Sequence, residues 1–138
     1  MRISALLLFV LTLVGQSYAA DGMADFRQGL QSFQTNGADA LLRAWYDSKT
    51  DSAKIAKLRE RLINITRPLG PVVATEVFQP GDLGEHVQRL YGVIYFEQRP
   101  LWIKAEYYSI NGRNGFIALD FSLAAEEILP LERDKFRD

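Results

Sequence analysis

From Leu101 to Tyr108 the chain alternates strictly between two kinds of residue. The odd positions hold Leu101, Ile103, Ala105 and Tyr107, and the even positions hold Trp102, Lys104, Glu106 and Tyr108. Successive side chains of a β-strand point to opposite faces, so this run predicts a strand whose odd set faces a core. A strand with one buried face needs partners in a defined register, because a slip of one residue exchanges the two faces.

Those partners are legible on both sides. Val72–Phe78 is rich in β-branched residues and predicts a first strand. Val87–Phe96 predicts a second, Leu101–Ile110 a third and Phe116–Leu123 a fourth. Residues 79–85, with Pro80, Gly81 and Gly84, read as a loop, and residues 111–115 as a turn. Short connections make residues 87–123 an antiparallel meander. An even-length loop over 97–100 puts Leu90, Gly92, Ile94 and Phe96 on the core face, with Gly92 opposite Ala105. So little side-chain volume there implies either a closely approaching helix or an open pocket.

On the fourth strand the matching apolar set is Ile117, Leu119 and Phe121. Aligning it with the odd set of the third strand requires an odd number of loop residues. A two-residue Asn111-Gly112 turn would set Ile103 beside Asp120. The expectation is therefore a three- or five-residue loop with Gly112 or Gly115 in the left-handed conformation. The reverse face then carries Tyr91, Tyr95, Trp102, Tyr108 and Phe116, interspersed with Arg89, Lys104, Glu106 and Asp120. Lys104 faces Asp120 across the strands, and Tyr95 lies near Trp102. So many aromatic residues on a nominal outside imply a cover. It is either a second subunit or shading by the first strand and the C-terminal tail.

The first half of the chain has a helical period. Phe26, Leu30 and Phe33 share one face of a helix over 23–35, which Asn36-Gly37 stops. Leu41, Leu42 and Trp45 share a side of a second helix over 38–48. Thr50, Asp51 and Ser52 offer alternative N-caps for a third, with Ile55, Leu58, Leu62 and Ile65 as its apolar stripe. Pro68, Gly70 and Pro71 end it. Residues 124–129 predict a last helical turn before Pro130, and 131–138 a frayed tail.

Ahead of all this stands an address. Met1-Arg2 is a short basic start, residues 3–14 an almost unbroken apolar run, and Ser17-Tyr18-Ala19 an A-x-A-like site. That is the layout of a secretory signal peptide over 1–19, cleaved after Ala19 or Ala20. The apolar run is shorter than the roughly 20 residues of a spanning helix. The expected product is one domain over 20–138, periplasmic or secreted, with no membrane span. It contains no cysteine, so packing alone must hold it, and a lipoprotein anchor, a thiol nucleophile and a thiolate metal site are all excluded. Its charge, −1 overall and more negative by one without Arg2, gives no footprint for nucleic acid.

Helices followed by a four-stranded antiparallel sheet make an α+β domain. In this order the chain resembles small bacterial members of the nuclear transport factor 2-like superfamily, the cystatin-like α+β cone. The residues that carry the resemblance are Leu58-Arg59-Glu60-Arg61-Leu62, the Pro68-Leu69-Gly70 exit, Tyr95-Phe96-Glu97, Pro100-Leu101-Trp102-Ile103-Lys104 and Leu119-Asp120-Phe121-Ser122. The resemblance implies N-terminal helices packed on a curved sheet, and pairing of subunits through that sheet. It does not choose among the superfamily's isomerase-like and cyclase-like enzymes, ligand carriers and interaction modules.

Chemistry-bearing motifs are few. His86 is the only histidine, which excludes a two-histidine zinc motif and reads as a solvated loop residue. Ser48, Ser52, Ser109 and Ser122 lack a G-x-S-x-G context. Asp82 and Glu85 lack the spacing of an EF-hand loop. The expectation is a non-enzymatic domain without metal or cofactor. It binds a small apolar ligand in the cone, through Phe26, Leu30, Trp45, Gly92, Ala105 and Tyr107, or an envelope protein or second copy through Tyr91, Tyr95, Trp102, Tyr108 and Phe116. The alternative is a ketosteroid-isomerase- or polyketide-cyclase-like enzyme with Asp120 as general base and Tyr107 as donor.

Overall fold

Three helices precede one antiparallel sheet of order β1-β2-β3-β4 in a computed structural model that describes residues 22–130. The expected signal peptide and frayed tail lie outside the described residues. The helices are α1 (Gly22–Asn36), α2 (Ala38–Trp45) and α3 (Ser52–Thr66), followed by a 3₁₀ turn over Arg67–Leu69. The strands are β1 (Val72–Asp82), β2 (Val87–Phe96), β3 (Pro100–Ile110) and β4 (Arg113–Ser122), and a short helix α4 (Ala125–Ile128) follows. Among the described residues no helix is long and apolar enough to cross a membrane.

Local chemistry explains the boundaries. Gly37, at φ 79°, takes the left-handed backbone that turns α1 into α2. The second helix stops at Trp45, three residues before the sequence expectation, because Tyr46 is already extended. Of the three candidate caps Asp51 is the one used, its carboxylate accepting from the Ala53 N–H at 2.9 Å. After Gly70, the Glu97 N–H donates to the Pro71 carbonyl and the Gln98 N–H to that of Leu69, each at 3.0 Å. These bonds tie the helix-to-sheet crossover to the β2–β3 connection.

The sheet is a full meander, and β1 runs on through Asp82 where the sequence suggested a loop. The backbone of Gly81 and Asp82 pairs with Arg89 and Gln88 after an irregularity that follows Phe78. Among the described residues β1 is an edge strand, paired on one side only, which is where a residue without an N–H is tolerated.

Register on β2 and β3 keeps the predicted faces but shifts the predicted neighbours. Leu90 pairs with Ala105, Ile94 with Leu101, and Gly92 with Ile103 rather than with Ala105. At the β3–β4 turn the expectation of a longer loop is overturned. Ile110 pairs with Arg113, so the turn has two residues, Asn111 at φ 49° and Gly112 at φ 74°. Positive φ at both positions is what a type I′ hairpin turn demands. The parity is repaired inside the strand. Tyr107 pairs with Phe116 and Glu106 with Ala118, which leaves Ile117 as a bulge. Ile117 is consequently 48% exposed, while Phe116, expected on the reverse face, is a core residue at 8%.

The core lies between the helices and this face of the sheet. Phe26, Leu30 and Phe33 of α1, Leu41, Leu42 and Trp45 of α2, and Leu58 and Leu62 of α3 pack on Leu90, Ile94, Leu101, Ile103 and Phe121. An aromatic column runs through it. Phe26 stacks on Trp45 at 5.0 Å, Trp45 lies 5.0 Å from Phe116, and Phe116 meets Tyr107 edge-on at 5.0 Å. Arg61 of α3 rests its guanidinium 4.7 Å from the centre of the Phe121 ring.

Candidate functional site

Of the six residues expected to line an internal ligand pocket, Phe26, Leu30, Trp45, Ala105 and Tyr107 belong to one buried core cluster, and Gly92 packs against Phe26 and Leu30. Phe26 and Leu30 are fully buried against Gly92. A Cβ added to Gly92 would fall 2.8 Å from Phe26 Cε1 and 2.9 Å from Leu30 Cδ1, closer than real Cβ atoms approach. The small residue therefore admits a helix rather than a ligand. Trp45 is held by its indole N–H, which donates to the Asp25 carbonyl at 3.1 Å.

Tyr107 is buried with its hydroxyl in a polar cluster. It donates to Asp25 Oδ2 at 3.0 Å and accepts from Asn114 Nδ2 at 3.1 Å. Neither partner stands out in the sequence, since Asp25 lies 82 positions away on α1. The available signal was the core-facing phenol itself, which needs a partner when buried. Gly22 presses on the Tyr107 ring, where its Cβ would come within 2.7 Å. These contacts close the start of α1 onto the sheet.

Asp120 lies elsewhere. It pairs with Lys104 on the reverse face, is exposed, and accepts from the Phe121 N–H at 3.0 Å. Asp120 and Tyr107 thus stand on opposite faces of the sheet and share no site. His86 is exposed, with Nδ1 3.1 Å from the Ser109 carbonyl oxygen. Among the described residues no group of three or more His, Asp or Glu is placed to hold a metal ion.

The reverse face carries four of the five residues expected at an interface, Phe116 being the exception. Tyr91 is buried and Tyr95, Trp102 and Tyr108 are half-buried. Trp102 stacks on Phe78 of β1 at 6.1 Å with planes 19° apart, rather than on Tyr95. Phe78 pairs with Tyr91 and Trp102 with Val93, so the stack spans β2, and Val93 is fully buried on this face. Tyr95 instead donates to Glu76 at 2.8 Å, and that bond to the carboxylate raises the pKa of the phenol. Beside the aromatic strip, Arg89 pairs with Glu106 at 2.9 Å.

A third feature was not legible in the sequence. Along α2, the connection that follows it and the start of α3, a groove of about 710 Å³ opens, lined by Leu42, Tyr46 and Ile55 with the charged Asp39, Arg43 and Asp47 and three serine and threonine residues. Arg59 of α3 grips the Asp39 carboxylate of α2 through Nε and through Nη2, the latter at 3.2 Å, which lowers the carboxyl pKa. Tyr46 is 9% exposed, and its hydroxyl has no hydrogen-bond partner among the described residues. Burial raises its pKa, so the hydroxyl stays protonated. No family model, no curated protein and no solved structure matches the chain.

Proposed function

We propose that the chain is an exported, non-enzymatic interaction module that engages a second copy of itself through the reverse face of its sheet. The observation that carries this reading is the aromatic strip Phe78–Trp102 with Tyr95 and Tyr108, half-buried on a face that the three N-terminal helices leave open. Tyrosine, tryptophan and arginine are enriched at protein interfaces. A two-fold contact also requires a patch complementary to itself. Arg89 and Lys104 beside Glu106 and Asp120 supply both signs next to the strip.

Export rests on the basic, apolar and small-residue layout of residues 1–20. Membership of the nuclear transport factor 2-like superfamily, with its cone, rests on the order of helices first and a four-strand meander second. Such a fold hosts many functions, so the surface decides the reading. A filled interior favours the outer surface over a ligand held among Phe26, Leu30 and Gly92.

Sedimentation equilibrium of the processed protein tests the reading. Wild type is expected to dimerise reversibly, and Trp102→Ala with Tyr108→Asp to remain monomeric while keeping its circular dichroism spectrum. Intact mass after expression with the full leader tests export separately, the expected species starting at Ala20 or Asp21.

A further inference from the structure

We propose that the groove between α2 and α3 binds a small, uncharged, largely apolar molecule through one hydrogen-bond acceptor, a carbonyl oxygen, to which the Tyr46 hydroxyl donates. The groove is in the helical layer, so this inference stands apart from the sheet-face reading. Its size, about 710 Å³, lies in the range of small-molecule sites.

The chemistry of the lining selects the ligand. Leu42, Ile55 and the Tyr46 ring give the groove an apolar floor. The nearby carboxylates are already engaged. Asp39 is held by Arg59, and Asp47 Oδ1 accepts from the Lys49 N–H at 2.9 Å and lies 3.4 Å from the Thr50 hydroxyl. Arg43 donates through Nε to the Asp39 carbonyl at 3.2 Å, and a neutral ligand leaves all of these contacts in place.

The Tyr46 hydroxyl is what remains unmet. It sits on a residue nine-tenths buried, at the first position after α2, where the chain leaves the helix in an extended conformation. Buried polar groups in folded proteins are nearly always paired, and each unpaired one calls for a reason. A protonated phenol without a partner is a donor waiting for an acceptor, and apolar surroundings strengthen the bond it makes. The oxygen is out of solvent contact, so the acceptor reaches it by parting the side chains of the groove floor.

The test compares two probes of one shape. 4-tert-Butylcyclohexanone carries the carbonyl, and its exocyclic-alkene analogue replaces that oxygen with a methylene group. Amide resonances of the full domain are followed in two-dimensional ¹H–¹⁵N spectra during titration. The ketone is expected to shift Leu42, Tyr46 and Ile55 saturably. The alkene with wild type, and the ketone with Tyr46→Phe, are expected to bind at least about tenfold more weakly, the loss of one buried hydrogen bond. Ile55→Trp, which fills the groove, is expected to abolish the shifts. An unmoved groove in wild type overturns the proposal. So does equal affinity for ketone and alkene, or Tyr46→Phe binding the ketone as wild type does.

Discussion

Gly92 of β2 lies directly beneath Phe26 of α1, so close that a single added methyl group would stand 2.8 Å from the ring. At this point of the sheet the helix packs directly on the backbone and leaves no room for a side chain. Gly92→Ala is expected to destabilise the fold by about 1–3 kcal/mol, the range for overpacking a core that must shift to make room. Urea unfolding followed by tryptophan fluorescence measures it. An unchanged midpoint would mean that space is present after all.

Tyr107→Phe removes the hydroxyl that joins Asp25 of α1 to Asn114 of β4. The expected loss is about 1–2 kcal/mol, because the hydroxyl donates to a carboxylate. Hydrogen exchange should localise the effect to the first turn of α1, with faster amides at Phe26 and Arg27 than in wild type.

The bulge at Ile117 makes a topological prediction. Deleting this residue leaves Tyr107 opposite Phe116 and Glu106 opposite Ala118, now consecutive in an unbroken ladder. Phe116, Leu119 and Phe121 keep their face, and an exposed isoleucine is lost. The deletion is expected to keep a cooperative unfolding transition. Phe116→Ala, by contrast, is expected to cost about 3–5 kcal/mol, as aromatic truncations in cores do.

Acid stability carries the signature of the Asp39–Arg59 pair. The guanidinium bond holds the folded carboxyl below its ordinary value, so the unfolded chain takes up this proton first as pH falls. The stabilisation is present above the unfolded carboxyl pKa of about 3.9 and is lost as pH drops through the lower folded value. Arg59→Gln is expected to flatten this part of a melting-temperature profile measured from neutral to strongly acid pH. Because both side chains are about half exposed, added salt should shrink the difference between the two proteins.

Much of this architecture was readable from periodicity. Phe26, Leu30 and Phe33 recur on one helical face, and the alternation from Leu101 to Tyr107 fixes a strand and its buried side. The β3–β4 register was not readable, for a definite reason. Parity between two apolar sets can be met by an extra loop residue or by an extra strand residue, and hydrophobicity alone treats them alike. Ile117 reads as inward because it is apolar, yet Asn111-Gly112 is itself a strong two-residue turn signal. A two-residue turn at Asn111-Gly112 requires a bulge in β4 to bring Leu119 and Phe121 to the core face, and that bulge brings Phe116 inside. The Tyr46 groove left no trace in the sequence, because an unpaired hydroxyl is a property of three-dimensional neighbours rather than of spacing.

The proposed self-contact uses the reverse face of the sheet, where Trp102 and Tyr108 are half-buried. Sedimentation equilibrium over a wide concentration range, on wild type beside the Trp102→Ala, Tyr108→Asp double variant, tests it most directly. Wild type is expected to show a concentration-dependent monomer–dimer equilibrium, and the variant to remain a monomer. A wild-type monomer at every concentration, or a dimer that the double variant leaves intact, would contradict it.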